Sequence, residues 1–187
     1  MSRVLIIGGT GMLRPVVHEL LDRGELVVVV ARHPHRAEPP GGGPTMGWTA
    51  GFVPVPAQWD RPEALVDQIE ATLRSRGEPS VLDGAIVWIH SPHRQSVLSE
   101  LSRVLNEAST VVQLWGSAAQ DPRRVLAGES DDGYPWTMRH VLLGYHRSSE
   151  GARWLTHSEV AAATLQAWDD GPAHVVAGRL DPWEDHP

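Results

Sequence analysis

The residues with the clearest chemical content stand near the start of the chain, where Gly8-Gly9-Thr10-Gly11-Met12-Leu13 follows the apolar run 4–7 and opens a helical pattern. Glycines at such a turn let the backbone reverse sharply and approach a diphosphate closely. The free amides and the positive dipole end of the next helix then receive its charge. Strand, glycine turn and helix in this order and spacing form the dinucleotide arrangement. Gly8 and Gly11 are therefore expected to give the close approach, and the amides near Thr10 and Met12 the contacts. The last position of the usual glycine pattern is Arg14, which leaves open whether that side chain meets the phosphates or the solvent.

A second group closes the apolar run 26–31: Arg32-His33-Pro34-His35-Arg36. An acid here would bind a ribose 2′-hydroxyl, whereas a basic cluster accepts a 2′-phosphate through charge-assisted hydrogen bonds. The absence of an acid makes NADP(H) the expected cofactor, held by Arg32 and Arg36; the alternative is that both are solvated surface charges. Further along, Ile89-His90-Ser91 and Trp115-Gly116-Ser117-Ala118 follow two more apolar runs. Ligands of open α/β sheets lie beyond the carboxyl ends of the strands. His90 and Ser117 are thus candidate catalytic groups, with His90 and Ser91 beside the cofactor. The duller readings are that His90 bonds a backbone group and Ser117 caps a turn. His33-Pro34-His35 and His90-Ser91-Pro92-His93 lack carboxylates at ligand spacing, so no metal is expected.

Composition closes several routes. All 16 basic residues are arginine, so chemistry that needs a neutral lysine or a Schiff base is excluded. There is no cysteine to supply a thiolate or a disulfide. The net charge of -7 argues against a nucleic-acid partner, and no apolar run approaches the roughly 20 residues that span a bilayer. The first apolar run is too short for a signal peptide, and a cytoplasmic location is expected.

The elements that must position these groups read as one α/β unit of 187 residues. Runs 4–7, 26–31, 85–89 and 111–115 are apolar without alternation, as in strands buried on both faces. Leu13, Val16, Val17, Leu20 and Leu21 share a helical face, as do Leu65, Val66, Ile69 and Leu73, and Val97, Leu98, Leu101, Val104 and Leu105. Helix starts are signalled by Asp60 with Pro62 and Glu63, by Ser91 before Pro92, and by Thr156 with Glu159 as a capping box. A helix over 157–169 and strands at 136–144 and 173–177 complete the pattern, which predicts a doubly wound, mostly parallel Rossmann-type sheet with helices on both faces. Segment 37–51, with its run of prolines and glycines, is expected as a loop, and 128–135 as an irregular border of the substrate pocket. The eight tryptophans are expected mainly in the core.

With its Gly-Gly-Thr-Gly-Met-Leu turn, the chain resembles the small atypical members of the short-chain dehydrogenase/reductase superfamily. Arg153-Trp154-Leu155-Thr156-His157-Ser158-Glu159 and Asp181-Pro182-Trp183-Glu184 look like the same small bacterial subgroup. In the classical family a serine, a tyrosine and a lysine in a Tyr-x-x-x-Lys pair catalyse hydride transfer, and Ser117 matches the serine by its place. The pair does not carry over, because Met138 stands four beyond Tyr134 and Ser149 four beyond Tyr145. A tyrosine near pKa 10 needs a nearby cation to shuttle protons at neutral pH. Tyr145 beside His146 and Arg147 is one candidate, and His90, whose ordinary pKa already suits the task, is another. The resemblance implies an NADPH-dependent oxidoreductase acting on a small carbonyl or imine substrate, and a homodimer. A non-catalytic NADP(H)-binding sensor or scaffold is the alternative, and a lyase or isomerase on the same fold a third reading.

Overall fold

The computed structural model describes residues 1–38, 48–116, 120–128, 131, 133–149 and 151–187, with backbone alone at 48 and 49. The unalternating apolar runs become strands covered on both sides: β1 (Arg3–Ile7), β2 (Leu26–Ala31), β3 (Phe52–Pro56), β4 (Gly84–Val87), β5 (Thr110–Trp115) and β6 (Thr137–Leu143). A short antiparallel hairpin follows, β7 (Tyr145–Ser148) with β8 (Gly151–Trp154), and β9 (His174–Ala177) is last. The main sheet has seven parallel strands in the order β3-β2-β1-β4-β5-β6-β9. The expected doubly wound α/β architecture is therefore the one observed.

Order reverses at β1, which lies between β2 and β4. Register sets Ile7 opposite Val30 on one side and Val87 on the other. Three strand ends thus coincide, and the residues after them, Gly8, Trp88 and Arg32, emerge around one crevice.

The helices are α1 (Arg14–Asp22), α2 (Trp48–Gly51), α3 (Pro62–Ser75), α4 (Arg94–Glu100), α5 (Pro122–Ala127) and α6 (His157–Trp168). Val16, Val17, Leu20 and Leu21 of α1 join Val160, Ala161, Ala163 and Ala167 of α6 in one apolar layer, over Ile6, Val29 and Val112. Leu65, Val66, Ile69 and Leu73 of α3 join Val97 and Leu98 of α4 in the other, over Leu5, Val28 and Val87. Each fully buried aliphatic side chain contributes roughly 1.5–3 kcal/mol. These two layers hold the crevice rigid from both sides.

Several boundaries differ from the sequence expectation. The N-cap of α3 is Arg61, with no side-chain cap bond, rather than Asp60. Helix α4 starts at Arg94 behind His93, not at Ser91, and ends at Glu100 with a 3-10 turn over Leu101–Arg103. Within 37–51, a 3-10 turn over Pro34–Ala37 and the helix Trp48–Gly51 flank the loop, and positions 39–47 lie outside the described residues. Thr156 and Glu159 do form the capping box: the Glu159 carboxylate accepts the Thr156 amide at 2.8 Å, and Thr156 Oγ1 accepts the Glu159 amide at 3.3 Å. Among the described residues no helix is long and apolar enough to cross a membrane.

Candidate functional site

The glycine turn is built from three different demands. Gly8 has φ +87°, and a Cβ there would come within 2.9 Å of the Trp88 carbonyl oxygen. Its amide donates to the Val30 carbonyl at 3.1 Å, so Gly8 joins the ends of β1, β2 and β4 and tolerates no side chain. A Cβ on Gly9 would meet Ile6 at 3.0 Å, Val29 at 3.2 Å and Val17 at 3.3 Å. Gly9 thus supplies the close helix-to-strand packing that Arg14 cannot, and Arg14 itself is exposed. Gly11 is the opposite case, since a Cβ there would meet nothing within 4 Å. Open space lies over its backbone, the condition a diphosphate needs. Met12 is half-buried and packs on the core, while Thr10 lines the crevice.

That crevice is a cleft of about 520 Å³ whose walls include Gly8, Thr10, Arg32, Arg36, Trp59 and Trp88. The 3-10 turn carrying Arg36 is fixed by buried Pro34 and Ala37, and the Ala37 carbonyl lies 3.1 Å from His18 Nε2 of α1. Arg32 and Arg36 are both exposed. Among the described residues neither guanidinium has an ion-pair partner. Asp60, freed from helix capping, is the acid on this wall.

His90 follows β4 and leans on two indoles, edge-on to Trp88 at 4.8 Å and to Trp59 at 6.0 Å between ring centroids. Loss of hydration beside these rings, with the positive charge of Arg94 adding to it, holds the His90 pKa below the ordinary imidazole value. The ring is consequently neutral near pH 7. His90 is exposed beside Trp59 and Trp88, two of the cleft's walls; His93 lines the cleft itself, and Ser91 is exposed next to His90.

Of the other two catalytic candidates, Ser117 lies outside the described residues. Tyr145 requires a correction. It is 0% exposed, and its hydroxyl donates to the Pro182 carbonyl at 2.5 Å. It follows β6, three strands along from β1, which at roughly 4.8 Å per strand is about 14 Å away. Tyr145 is a packing residue that ties the hairpin to the segment after β9, and its hydroxyl is not presented to the cleft.

One group of polar side chains was not anticipated. Trp115 Nε1–H donates to His140 Nδ1 at 2.9 Å, and His140 Nε2 meets the Asp131 carboxylate at 2.7 Å. The indole donor fixes Nδ1 as acceptor, so Nε2 carries the proton and donates it to Asp131. Arg94 lies over the Trp115 ring, 4.1 Å from its centroid, and donates to the Ile89 carbonyl at 3.2 Å. This chain of contacts links segment 128–135 to the loop bearing His90. Its members sit on β5, β6, the start of α4 and two loops; the parallel register that sets His140 opposite Gln113 helps to bring them together, and no local spacing announces it.

No family model matches the chain, and no curated protein matches it. Solved structures do. A carbonyl reductase from Pseudomonas aeruginosa aligns over 98% of this chain and 100% of its own, with 20% identity and a TM-score of 0.55. A short-chain dehydrogenase/reductase from Brucella melitensis aligns over 93% of each chain, with 14% identity and a TM-score of 0.60. An apo enzyme from Clostridium thermocellum covers 95% of this chain and 92% of its own, with 12% identity and a TM-score of 0.63. At these identities the likeness is one of fold, and the fold is the Rossmann-like one of short-chain dehydrogenases/reductases.

Proposed function

We propose that the chain is a cytoplasmic NADP(H)-dependent oxidoreductase of short-chain dehydrogenase type, acting on a small carbonyl or imine. The observation that carries this reading is the meeting, in one cleft at the strand-order switch, of Gly8 and Thr10 of the glycine turn with the guanidiniums of Arg32 and Arg36, which have no ion-pair partner among the described residues. The volume of about 520 Å³ falls within the range of roughly 300–1,000 Å³ usual for ligand sites. The open backbone at Gly11 fits a diphosphate, and the amides near Thr10 and Met12 would hold it. Arg32 and Arg36 would hold the 2′-phosphate through charge-assisted bonds.

When bound, the nicotinamide supplies the hydride chemistry. The chain supplies orientation and hydrogen bonds. A neutral His90 would donate a hydrogen bond through its ring N–H and polarise a substrate oxygen, with the proton that completes reduction drawn from water at the open cleft; in the oxidising direction its free nitrogen would accept the hydroxyl proton. Ser117, after β5 on the same sheet edge, is the proposed second donor to that oxygen. Ser91 is proposed beside the cofactor. No proton step is assigned to Tyr145. An imine suits such a site, because its nitrogen can arrive already protonated.

A non-catalytic NADP(H)-binding role is the second reading, and it is favoured by two observations: the chain has no lysine, and the Tyr145 hydroxyl is committed to Pro182. One experiment separates the two. NADPH, and not NADH, is expected to quench the fluorescence of Trp59 and Trp88, and NADPH oxidation against aldehydes, ketones and cyclic imines then reads turnover. Tight binding without turnover across the panel would move the assignment to the sensor, and no binding of either nucleotide would remove both.

A further inference from the structure

The dinucleotide cleft does not end at Arg32. On the far side of that side chain lies a second hollow of about 360 Å³, whose walls include Arg32, His33, Gln58, Arg61 and Gln68. Arg32, His33, Ala57, Gln58 and Leu65 border both spaces, so the hollow opens off the cleft across a common wall. The two differ in charge. The cleft carries Asp60, whereas the described lining of the hollow contains no carboxylate.

Arg61 is the cation that the sequence did not single out. It stands at the start of α3, where its backbone amide donates to the Gln58 carbonyl at 3.4 Å and its side chain caps nothing. It is exposed, and among the described residues its guanidinium has no ion-pair partner. Three other arginines of this side of the molecule are engaged: Arg103 with Asp67 and Glu70, Arg3 with Asp83, and Arg76 with the Ala50 carbonyl. Two guanidiniums that share one acid-free hollow repel each other until an anion lies between them. Gln58 and Gln68 add side-chain amide donors on the same walls. This donor set fits a phosphomonoester, a dianion with three acceptor oxygens that arginine forks grip bidentately.

We infer that the hollow between Arg32 and Arg61 is the subsite for the 2′-phosphate of the bound dinucleotide, and that Arg61 is a specificity-determining residue which selects NADP(H) over NAD(H). The inference rests on the dinucleotide reading above and extends it to a residue on a different element. Because a guanidinium stays charged at all working pH values, the selectivity holds across neutral and alkaline conditions. It weakens below about pH 6, where the phosphate loses its second charge.

The test uses the full chain and Arg61→Gln, with titrations of NADPH, NADH, adenosine 2′,5′-bisphosphate and inorganic phosphate followed by calorimetry. Removal of Arg61 is expected to weaken NADPH and the bisphosphate about tenfold or more, the scale of a lost bond to a charged group. NADH affinity stays within twofold, circular dichroism is unchanged, and Arg61→Lys recovers part of the loss. If NADPH binds the parent chain but Arg61→Gln leaves the NADPH-to-NADH ratio untouched, the subsite is overturned while the dinucleotide reading stands. If the folded parent chain binds neither nucleotide, both fall. Uptake of inorganic phosphate alone, lost in Arg61→Gln, would then identify a site for free phosphate and overturn the 2′-phosphate assignment.

Discussion

Two groups of arginines, one on each side of β4, are in opposite circumstances. Toward β9, Arg123 bonds Asp121, Asp181 and the Leu180 carbonyl; Arg139 bonds Asp170 and the carbonyls of Ala167 and Trp168; Arg147 meets Asp185, and Arg153 meets Glu159. Trp115, His140 and Tyr145 are likewise committed to partners within the chain. Toward β3, Arg32, Arg36 and Arg61 line two joined hollows with no ion-pair partner among the described residues. The contrast separates polar groups that hold the fold from polar groups kept for a ligand. A protein of net charge -7 has carboxylates enough to neutralise these cations, yet among the described residues Asp60 is the one that lines the cleft.

The comparison can be broken by substitution. The largest effect is expected from Gly8→Ala. Holding alanine at φ +87° costs about 1–3 kcal/mol, and the 2.9 Å approach to the Trp88 carbonyl adds to it. Urea unfolding should register a loss of several kcal/mol, together with loss of NADPH quenching. Next is His140→Ala, which strips the Trp115 donor and the Asp131 acceptor of their common partner and should cost about 2–4 kcal/mol. NADPH affinity should stay within twofold; a large drop would mean that this network belongs to the ligand side after all.

Gly11→Ala tests the reverse. Nothing lies within 4 Å of the added methyl, so stability should change by less than about 1 kcal/mol while NADPH binding falls about tenfold. A variant that binds as well as the parent would take Gly11 out of the site. Tyr145→Phe should cost only about 1 kcal/mol, for one lost hydroxyl bond, and leave any reductase activity intact. A collapse of turnover with the fold preserved would restore the tyrosine as a proton donor.

The smallest effect concerns pH. His90 has a folded pKa below its unfolded value, so in the window between the two the unfolded chain binds more protons. Stability therefore rises with pH through that window and falls on acidification. Replacing His90 with glutamine should flatten this part of the urea-midpoint profile, and an unchanged profile would show that the ring titrates normally.

What was legible in the sequence was local. The glycine turn is contiguous, its strand and helix adjoin it, and the capping box at Thr156 and Glu159 spans three residues. Strand β3 had no such clarity, because Pro54 and Pro56 break the apolar run; an edge strand tolerates them since its outer side has no ladder to complete. The hairpin β7–β8 was hidden for a different reason, as most of its residues are exposed and no alternation marks it. Tyr145 looked chemical in sequence because His146 and Arg147 follow it. Strand geometry turns His146 to the opposite face and Arg147 pairs with Asp185, so adjacency along β7 brought no cation to its hydroxyl. Arg61 was overlooked because only the fold sets the start of α3 beside the end of β2.

Strand order has a consequence for how the protein is made. After β1, the sheet grows to one edge with β2 and β3, then to the other with β4, β5, β6 and β9, each laid against the strand already standing at that edge. Every described residue bordering the cleft and the hollow lies at or before His93. A chain half emerged from the ribosome thus already carries these walls, while the edge of β4 waits uncovered for β5. Early capture of the nucleotide would brace that front half during the interval when its open edge is most prone to wrong pairing.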